Sequence, residues 1–499
     1  MRSPDLVVVV LDCGRADDLP GGLHAIPGMP FLEGLARESL RFPQAVAPSP
    51  WTIPSHAGLF TGLYPWESGA HLKRRLFLEG GLPTLAERLG SAGYATLSAS
   101  ANGFISPTFG LVRGFRSAAW GDWWERFLRL PGQTRPPWGF NFGPTLSLPR
   151  GRLWEMLEGP ARYANRRPLL LDVVNRIGSR LVDPERSDGA YSPHVSSWIE
   201  PSLEEAIGQV PRSQPLFLFV NYYEAHEPYV IDPSRVEGGM GYRRLAQLRM
   251  DRTNFLAGRW SPTPREFEDL RRLSRAVVRS LDERVRRLVG VLQRAGRWDR
   301  TLFVLTSDHG QAFGERGFLF HGVRLWDAVV RIPLWVRWPE GQYRGEAAKG
   351  MASLVDLMPT LLQEAGAPVP PLAGASPLTG LVDRPREGPV FSMSDGTPAR
   401  RTLQRMVPRR VWEPWDQAHL AGYQGPHKLI YNVETRNFQA FDLDHDPGEL
   451  HPISEGPEVP RELLPLARRL EEHGRRIPAA PAPVPSSEVD ERLRSWGYE

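Results

Sequence analysis

The segment Ser49-Pro50-Trp51-Thr52-Ile53-Pro54-Ser55-His56-Ala57-Gly58-Leu59-Phe60-Thr61-Gly62 sets one hydroxyl, Thr52, just ahead of a Pro-Ser-His turn. A run of small residues follows, and it can open a helix over Ser55–Thr61. Read alone, this threonine carries little. Its weight comes from polar residues that close apolar runs elsewhere. Asp12 follows Leu6-Val7-Val8-Val9-Val10-Leu11, and Asp308-His309-Gly310 follows Leu302-Phe303-Val304-Leu305-Thr306. His226 lies just past Leu216–Asn221, within Tyr222-Tyr223-Glu224-Ala225-His226-Glu227-Pro228-Tyr229. In open α/β sheets, functional groups gather beyond the carboxyl ends of strands. A hydroxyl, carboxylates and imidazoles at such ends match a metal-held nucleophile with acid/base histidines.

Each residue also has a plainer reading. Asp12 alone can be a helix N-cap. Arg15 and Asp17 next to it read as a structural ion pair. Asp308 alone is a loop carboxylate, with Gly310 allowing a sharp turn. A histidine among aromatics, as His226 is, usually serves structure. Their shared position at strand ends favours the chemical reading.

Composition narrows the classes. The chain has 499 residues, 41% hydrophobic and 24% charged, which is globular and not disordered. The single cysteine, Cys13, excludes an internal disulfide and a cysteine-based zinc cluster. The net charge of +4 comes from scattered arginines, read as a solvated surface or an attraction for anionic substrates. With no basic block and no zinc-finger spacing, no nucleic-acid partner is expected. Leu6–Leu11 is too short for a membrane span, and Asp12 and Arg15 follow it instead of a cleavage site. A cytoplasmic protein without signal or transmembrane segment is therefore expected.

Strand and helix signals alternate through the first half: Leu6–Leu11 strand, Met29–Ser39 helix, Leu82–Ala92 helix and Tyr94–Ser98 strand. They resume with strand Leu216–Asn221, helix Phe267–Arg294, strands Thr301–Thr306 and Ile332–Val336, and helix Leu354–Gly366. This rhythm predicts an α/β fold with a large, mostly parallel sheet flanked by helices over 1–380. Between about 115 and 213 a Trp-rich insertion interrupts it, read as a helical subcore or a substrate-facing lid. Pro389–Ser392, His427–Val433 and Gln439–Leu443 read as antiparallel strands, and Arg461–Arg475 as a helix. They form a small C-terminal antiparallel subdomain over 381–476. The Pro-rich stretch after it reads as a linker and tail, 477–499.

These segments, in this order, resemble the sulfatase family of the alkaline phosphatase superfamily. The likeness runs from Val10-Leu11-Asp12 and Thr52-Ile53-Pro54-Ser55-His56 through Asn221-Tyr222 and His226-Glu227-Pro228-Tyr229. It continues with Thr306-Ser307-Asp308-His309-Gly310, Gly314-Glu315-Arg316-Gly317, His321-Gly322, Val355-Asp356-Leu357-Met358-Pro359-Thr360 and Asp446-Pro447-Gly448-Glu449-Leu450. The resemblance implies one divalent cation held by Asp12, Thr52, Asp308 and His309, with Ca²⁺ foremost and Mg²⁺ or Mn²⁺ as alternatives. It implies that Thr52 attacks a small anionic ester of sulfate or phosphate. His226 or His321 would protonate the leaving oxygen, and His56 would orient or neutralise the anion.

The sequence departs from the family pattern at several places. Sulfatases carry Cys or Ser, oxidised to formylglycine, where Thr52 stands, and Thr cannot yield that aldehyde. His56 replaces the arginine of that motif. Cys13 stands where a second metal-binding Asp is common. Ser98-Ala99-Ser100-Ala101-Asn102-Gly103 replaces a lysine-bearing segment, and Gln311 and Arg316 replace Glu and His. A Thr nucleophile is what related phosphodiesterases and phosphoethanolamine transferases use. The rival readings are such a transferase, or a binding protein that keeps the fold without catalysis.

Overall fold

Asp5–Leu11 is buried along its whole length, as a strand covered on both faces must be. It is β1, central in a sheet whose other strands are β2 (Leu40–Arg41), β3 (Ala95–Ser100), β4 (Ser117–Trp120), β5 (Leu216–Tyr222), β6 (Thr301–Thr306) and β7 (Leu334–Arg337). The structure, a computed structural model, describes residues 3–120 and 196–478 apart from residues 75, 197, 228, 230, 232–234, 242, 243, 245, 246, 249 and 398. The strand order is β2-β7-β6-β1-β5-β3-β4. β1 runs parallel to β5 and β6, and β3 runs parallel to β4 and β5, while β7 is antiparallel to β6 and β2.

Side chains alternate along β1 and so build two cores. Val8 and Val10 face one side with Ile53, Leu85 and Leu357, from helices α2 (Thr52–Thr61), α3 (Leu85–Ser91) and α6 (Leu357–Glu364). Val7 and Val9 face the other with Leu32, Leu203 and Leu281, from α1 (Pro30–Glu38), α4 (Ile199–Gly208) and α5 (Pro264–Arg294).

The register sets what meets at the sheet's carboxyl edge. Ser100 pairs with Asn221, Asn221 with Val10, and Val10 with Thr306. Asp12, Asn102 and Asp308 each stand two residues beyond this aligned row. Neighbouring strands lie about 4.8 Å apart, so Asp12 and Asp308 are neighbours by construction, while Asn102 comes from β3, two strands from β1 across β5.

The expected α/β class and C-terminal antiparallel sheet are both present, with differences in detail. Ile332–Val336 is not one strand. Arg331–Ile332 pairs with Ala45–Val46, and β7 begins only after Pro333, whose missing N–H cannot continue a ladder. α2 starts at Thr52, because Pro54 is tolerated in a first turn. α3 starts after Thr84, which forms a capping box with Glu87. The C-terminal sheet has five strands: β8 (Val390–Ser394), β9 (His419–Gln424), β10 (His427–Asn432), β11 (Phe438–Asp442) and β12 (Ser454–Gly456). Most of the Trp-rich insertion, and all but the start of the Pro-rich tail, lie outside the described residues.

The small sheet is anchored by one buried cation. Lys428 Nζ donates to Leu325 O at 2.5 Å and pairs with Asp327 at 2.8 Å and Glu449 at 2.6 Å. Its outer face packs under α7 (Leu464–Gly474), where His473 stacks on Trp66 at 4.5 Å and stands edge-on to Phe391 at 5.0 Å. Burial lowers the His473 pKa to about 4, below the ordinary value of about 6.5. A histidine buried neutral contributes fully above about pH 6.5, and the contribution fades as pH falls toward 4. His473→Phe is therefore expected to lose less thermal stability than the parent between pH 6.5 and 4. Melting temperatures across that range check this, and parallel curves would contradict it.

Candidate active site

Thr52 opens α2 from an extended Trp51, and its side chain is buried. Helix starts carry unpaired N–H groups and favour negative charge beside them. α2 is tied to the end of β6 by Ser55 Oγ, which donates to Asp308 O at 2.6 Å. Asn102 Nδ2 donates to Asp12 Oδ2 at 2.7 Å and reaches Thr52 Oγ1 at 3.3 Å. One amide thus holds the hydroxyl and the first carboxylate together. Asn221 Nδ2 adds a 3.3 Å contact to the same Asp12 oxygen.

Asp308 Oδ1 accepts from the backbone N–H groups of His309 at 2.9 Å and Cys13 at 3.2 Å. Its Oδ2 lies 3.4 Å from His309 Nε2 and 3.7 Å from His56 Nδ1. Asp12 Oδ1, Asp308 Oδ2 and His309 Nε2 are buried without a hydrogen-bond partner. His309 Nδ1 lies 3.0 Å from the Gly310 carbonyl, which can only accept. The proton therefore sits on Nδ1, and Nε2 presents a lone pair.

Burial raises the Asp12 pKa to about 6, with Asp308 adding to the push, and raises that of Asp308 to about 7. Burial lowers His309 to about 4. Unpaired carboxylates with raised pKa values mark a place that calls for a cation. Two carboxylate oxygens, an imidazole nitrogen and a nearby hydroxyl form a donor set that fits a divalent ion. Ligand atoms of Asp12, Cys13 and His309 lie within 4.8 Å of one another.

The remaining histidines sit around this centre. His226 Nδ1 lies 2.5 Å from Glu227 O, and its ring stacks on Tyr223 at 4.5 Å. His321 Nδ1 lies 2.7 Å from Gln311 Oε1, and Arg252 approaches its Nε2 at 3.0 Å. Burial, with Arg252 next, pushes the His321 pKa well down. Arg252 also pairs with Glu227 at 2.8 Å, and Arg252 and His226 help hold the Glu227 pKa down against its burial. Cys13 Sγ lies 3.6 Å from His321 Nδ1 and 3.7 Å from His309 Nδ1. Burial, then Asp12, pushes this thiol up, so it stays neutral.

The structure thus brings Asp12, Thr52, Asp308 and His309 together, with His226 and His321 beside them. His56 is also there, but burial lowers its pKa to about 3, so it brings no positive charge near neutral pH. Its Nδ1 instead lies 2.9 Å from Thr52 O and fixes the first turn of α2. Arg316 turns away from the site to the Glu449 carbonyl and the Trp326 ring. Asn102, Asn221, Glu227 and Arg252 were not among the sequence candidates. Register alone points to Asn102 and Asn221, whereas nothing local marks Arg252.

Residues 4–367 match the family model described as Sulfatase. Choline-sulfatase of Rhizobium meliloti is 24% identical over 92% of this chain and 84% of its own length. The multifunctional alkaline phosphatase superfamily protein PehA of Trinickia caryophylli is 26% identical over 74% of this chain and 75% of its own. Among solved structures, the phosphonate monoester hydrolase of Agrobacterium radiobacter superposes with a TM-score of 0.62 at 17% identity, covering 99% of this chain and 96% of that one. A structure in complex with its substrate, D-glucosamine-2-N,6-O-disulfate, gives 0.63 at 16% identity over 99% and 98%. The chain belongs to the sulfatase family. It is an ester hydrolase. Among the described residues, no helix is long and apolar enough to cross a membrane.

Asn102→Ala would strip both the Thr52 hydroxyl and Asp12 of their shared donor. It is expected to lower ester turnover by about 10- to 100-fold while the protein stays folded. Steady-state kinetics and a melting curve check this, and unchanged kcat would remove Asn102 from the working site.

Proposed function

We propose that this chain is a metal-dependent hydrolase that opens phosphonate or phosphate esters through Thr52, with sulfate esters as the slower class. The observation that carries the reading is the single Asn102 amide shared by Thr52 Oγ1 and Asp12 Oδ2, beside three orphaned ligand atoms. Asp12, Asp308, His309 and Thr52 would hold one divalent cation, Ca²⁺ foremost and Mg²⁺ or Mn²⁺ otherwise. Bound there, such an ion lowers the pKa of a hydroxyl and offsets the charge of an anionic ester.

The protein's own groups do the rest. Thr52 Oγ sits at the start of α2, where negative charge is favoured. As it attacks phosphorus its proton passes to solvent water, the Oγ–P bond forms, and the bond to the leaving oxygen breaks. Water then opens the phospho-threonine. Thr suits this route, because a phosphoryl group on oxygen is released by attack at phosphorus and needs no aldehyde.

The two candidate acids differ in their partners. His226 has Nδ1–H engaged by the Glu227 carbonyl, which leaves Nε2 to carry a proton to the leaving oxygen. His321 has Nδ1 engaged by Gln311 and Nε2 by Arg252, and its pKa is held well down. His226 is thus the general acid, and His321 a neutral positioning residue. His56 orients the nucleophile's turn through the Thr52 carbonyl.

Thr52→Ala is expected to cut turnover by at least about a thousandfold with the fold intact. Near-normal activity would rule Thr52 out as nucleophile. In a panel of aryl sulfate, phosphate monoester, phosphodiester and phosphonate monoester, the phosphorus esters are expected to turn over fastest. Turnover of the sulfate alone would overturn the preference, and product that requires an added alcohol would point to transfer. Chelation should abolish activity, and Ca²⁺, Mg²⁺ or Mn²⁺ should restore it. Full activity in protein shown metal-free by elemental analysis would contradict the metal role.

A further inference from the structure

A cavity of about 890 Å³ lies between the loop around Phe255–Ser261, the strand-end loop past His321, and the C-terminal sheet. None of the catalytic candidates lines it. Its volume falls within the usual range for small-molecule sites. Its walls carry three arginines from different segments, Arg259, Arg316 and Arg324, against one carboxylate, Glu455. Glu455 is itself engaged with Gln439 at 2.7 Å.

Among the described residues, none of these arginines forms an ion pair. Arg259 donates to Met406 O at 2.5 Å, and Arg316 to Glu449 O. Arg324 has, among the described residues, one hydrogen-bond contact, 3.4 Å to Pro414 O, although a guanidinium offers five N–H donors. The faces of the last two are set by rings. Arg324 lies over Trp415 at 4.4 Å, and Arg316 over Trp326 at 5.2 Å. Ring stacking fixes the plane of the fork while leaving its edge donors to others. Burial, and then the like charge of Arg316, lowers the Arg324 pKa to about 10. His419, on the same wall, is held neutral by burial. The wall therefore holds a cluster of cations that, among the described residues, form no ion pair with a carboxylate.

We propose that this cavity is a second anion site, which takes an organic oxyanion bearing a sulfate, phosphate or carboxylate group through Arg259, Arg316 and Arg324. Planar guanidinium forks match such groups in a bidentate way. The proposal is independent of the role of Thr52. It stands on the cavity and on three arginines that form no ion pair among the described residues.

Isothermal titration calorimetry on the full chain tests it. The probes are a disulfated disaccharide, its unsulfated parent and a nucleoside 5′-monophosphate, titrated into Thr52→Ala protein. Any continued consumption of probe there would indict the catalytic reading and not this one. A charged probe is expected to bind, more weakly as salt rises, and the unsulfated sugar is not. Arg324→Gln should weaken binding by at least about tenfold, and the exposed Arg259→Ala should weaken it as well. In the Thr52-containing protein, neither variant should change turnover of a small aryl ester. The tighter of the two charged probes identifies the source of the anion. The proposal is overturned if no charged probe binds at millimolar concentration, or if both variants, folded by circular dichroism, bind like the parent.

Discussion

Two buried carboxylates meet at the tips of adjacent strands, and the site is organised around that repulsion. Asp12 and Asp308 are fully buried, and each keeps an oxygen with no partner. Burial disfavours the charged forms, and a bound proton or cation relieves that charge. The surroundings hold this arrangement in place. Cys13 adopts φ 61°, a conformation unusual for a side chain of its kind, and its N–H thereby reaches Asp308. Gly14 follows because a Cβ there would stand 2.9 Å from Leu11 O. Ser55 clamps the helix that starts at Thr52 onto the same strand end.

The departures from the family pattern form a consistent set. A neutral thiol at Cys13 leaves the pocket one charge less negative than a second aspartate would. Gln311 accepts the Nδ1–H of His321 without adding charge. Arg252 supplies a positive group that no sequence motif announces, held by Glu227 and packed over Phe320 at 5.3 Å. The proposed route at phosphorus accords with a less acidic pocket and with Thr at position 52.

Much of the fold could be read from local pattern. β1 and β6 are apolar runs that end in carboxylates, and α5 keeps its helical spacing over Pro264–Arg294. Asp12, Asp308 and His309 were legible at the ends of apolar runs, and their grouping with Thr52 came from the family resemblance. Asn102 was not, because Tyr94–Ser98 was read as ending before Ser100, and the polar Ser100 hid the true strand end. The split at Pro333 required knowing that its two halves pair with different partners. β9 was missed because Gly422 weakens the strand signal in His419–Gln424. There the backbone packs directly under Leu466, which would stand 2.8 Å from a Cβ. Arg252 and Glu227 belong to a contact between distant segments, which no window of sequence reveals.

The most direct measurement is a rapid-quench, single-turnover reaction with a slow aryl phosphonate ester, followed by peptide mass spectrometry. A phosphonyl group should be found on the Thr52 peptide, and it should vanish as product is released. An adduct on another residue would contradict the account, as would a full turnover in which residue 52 never carries the group.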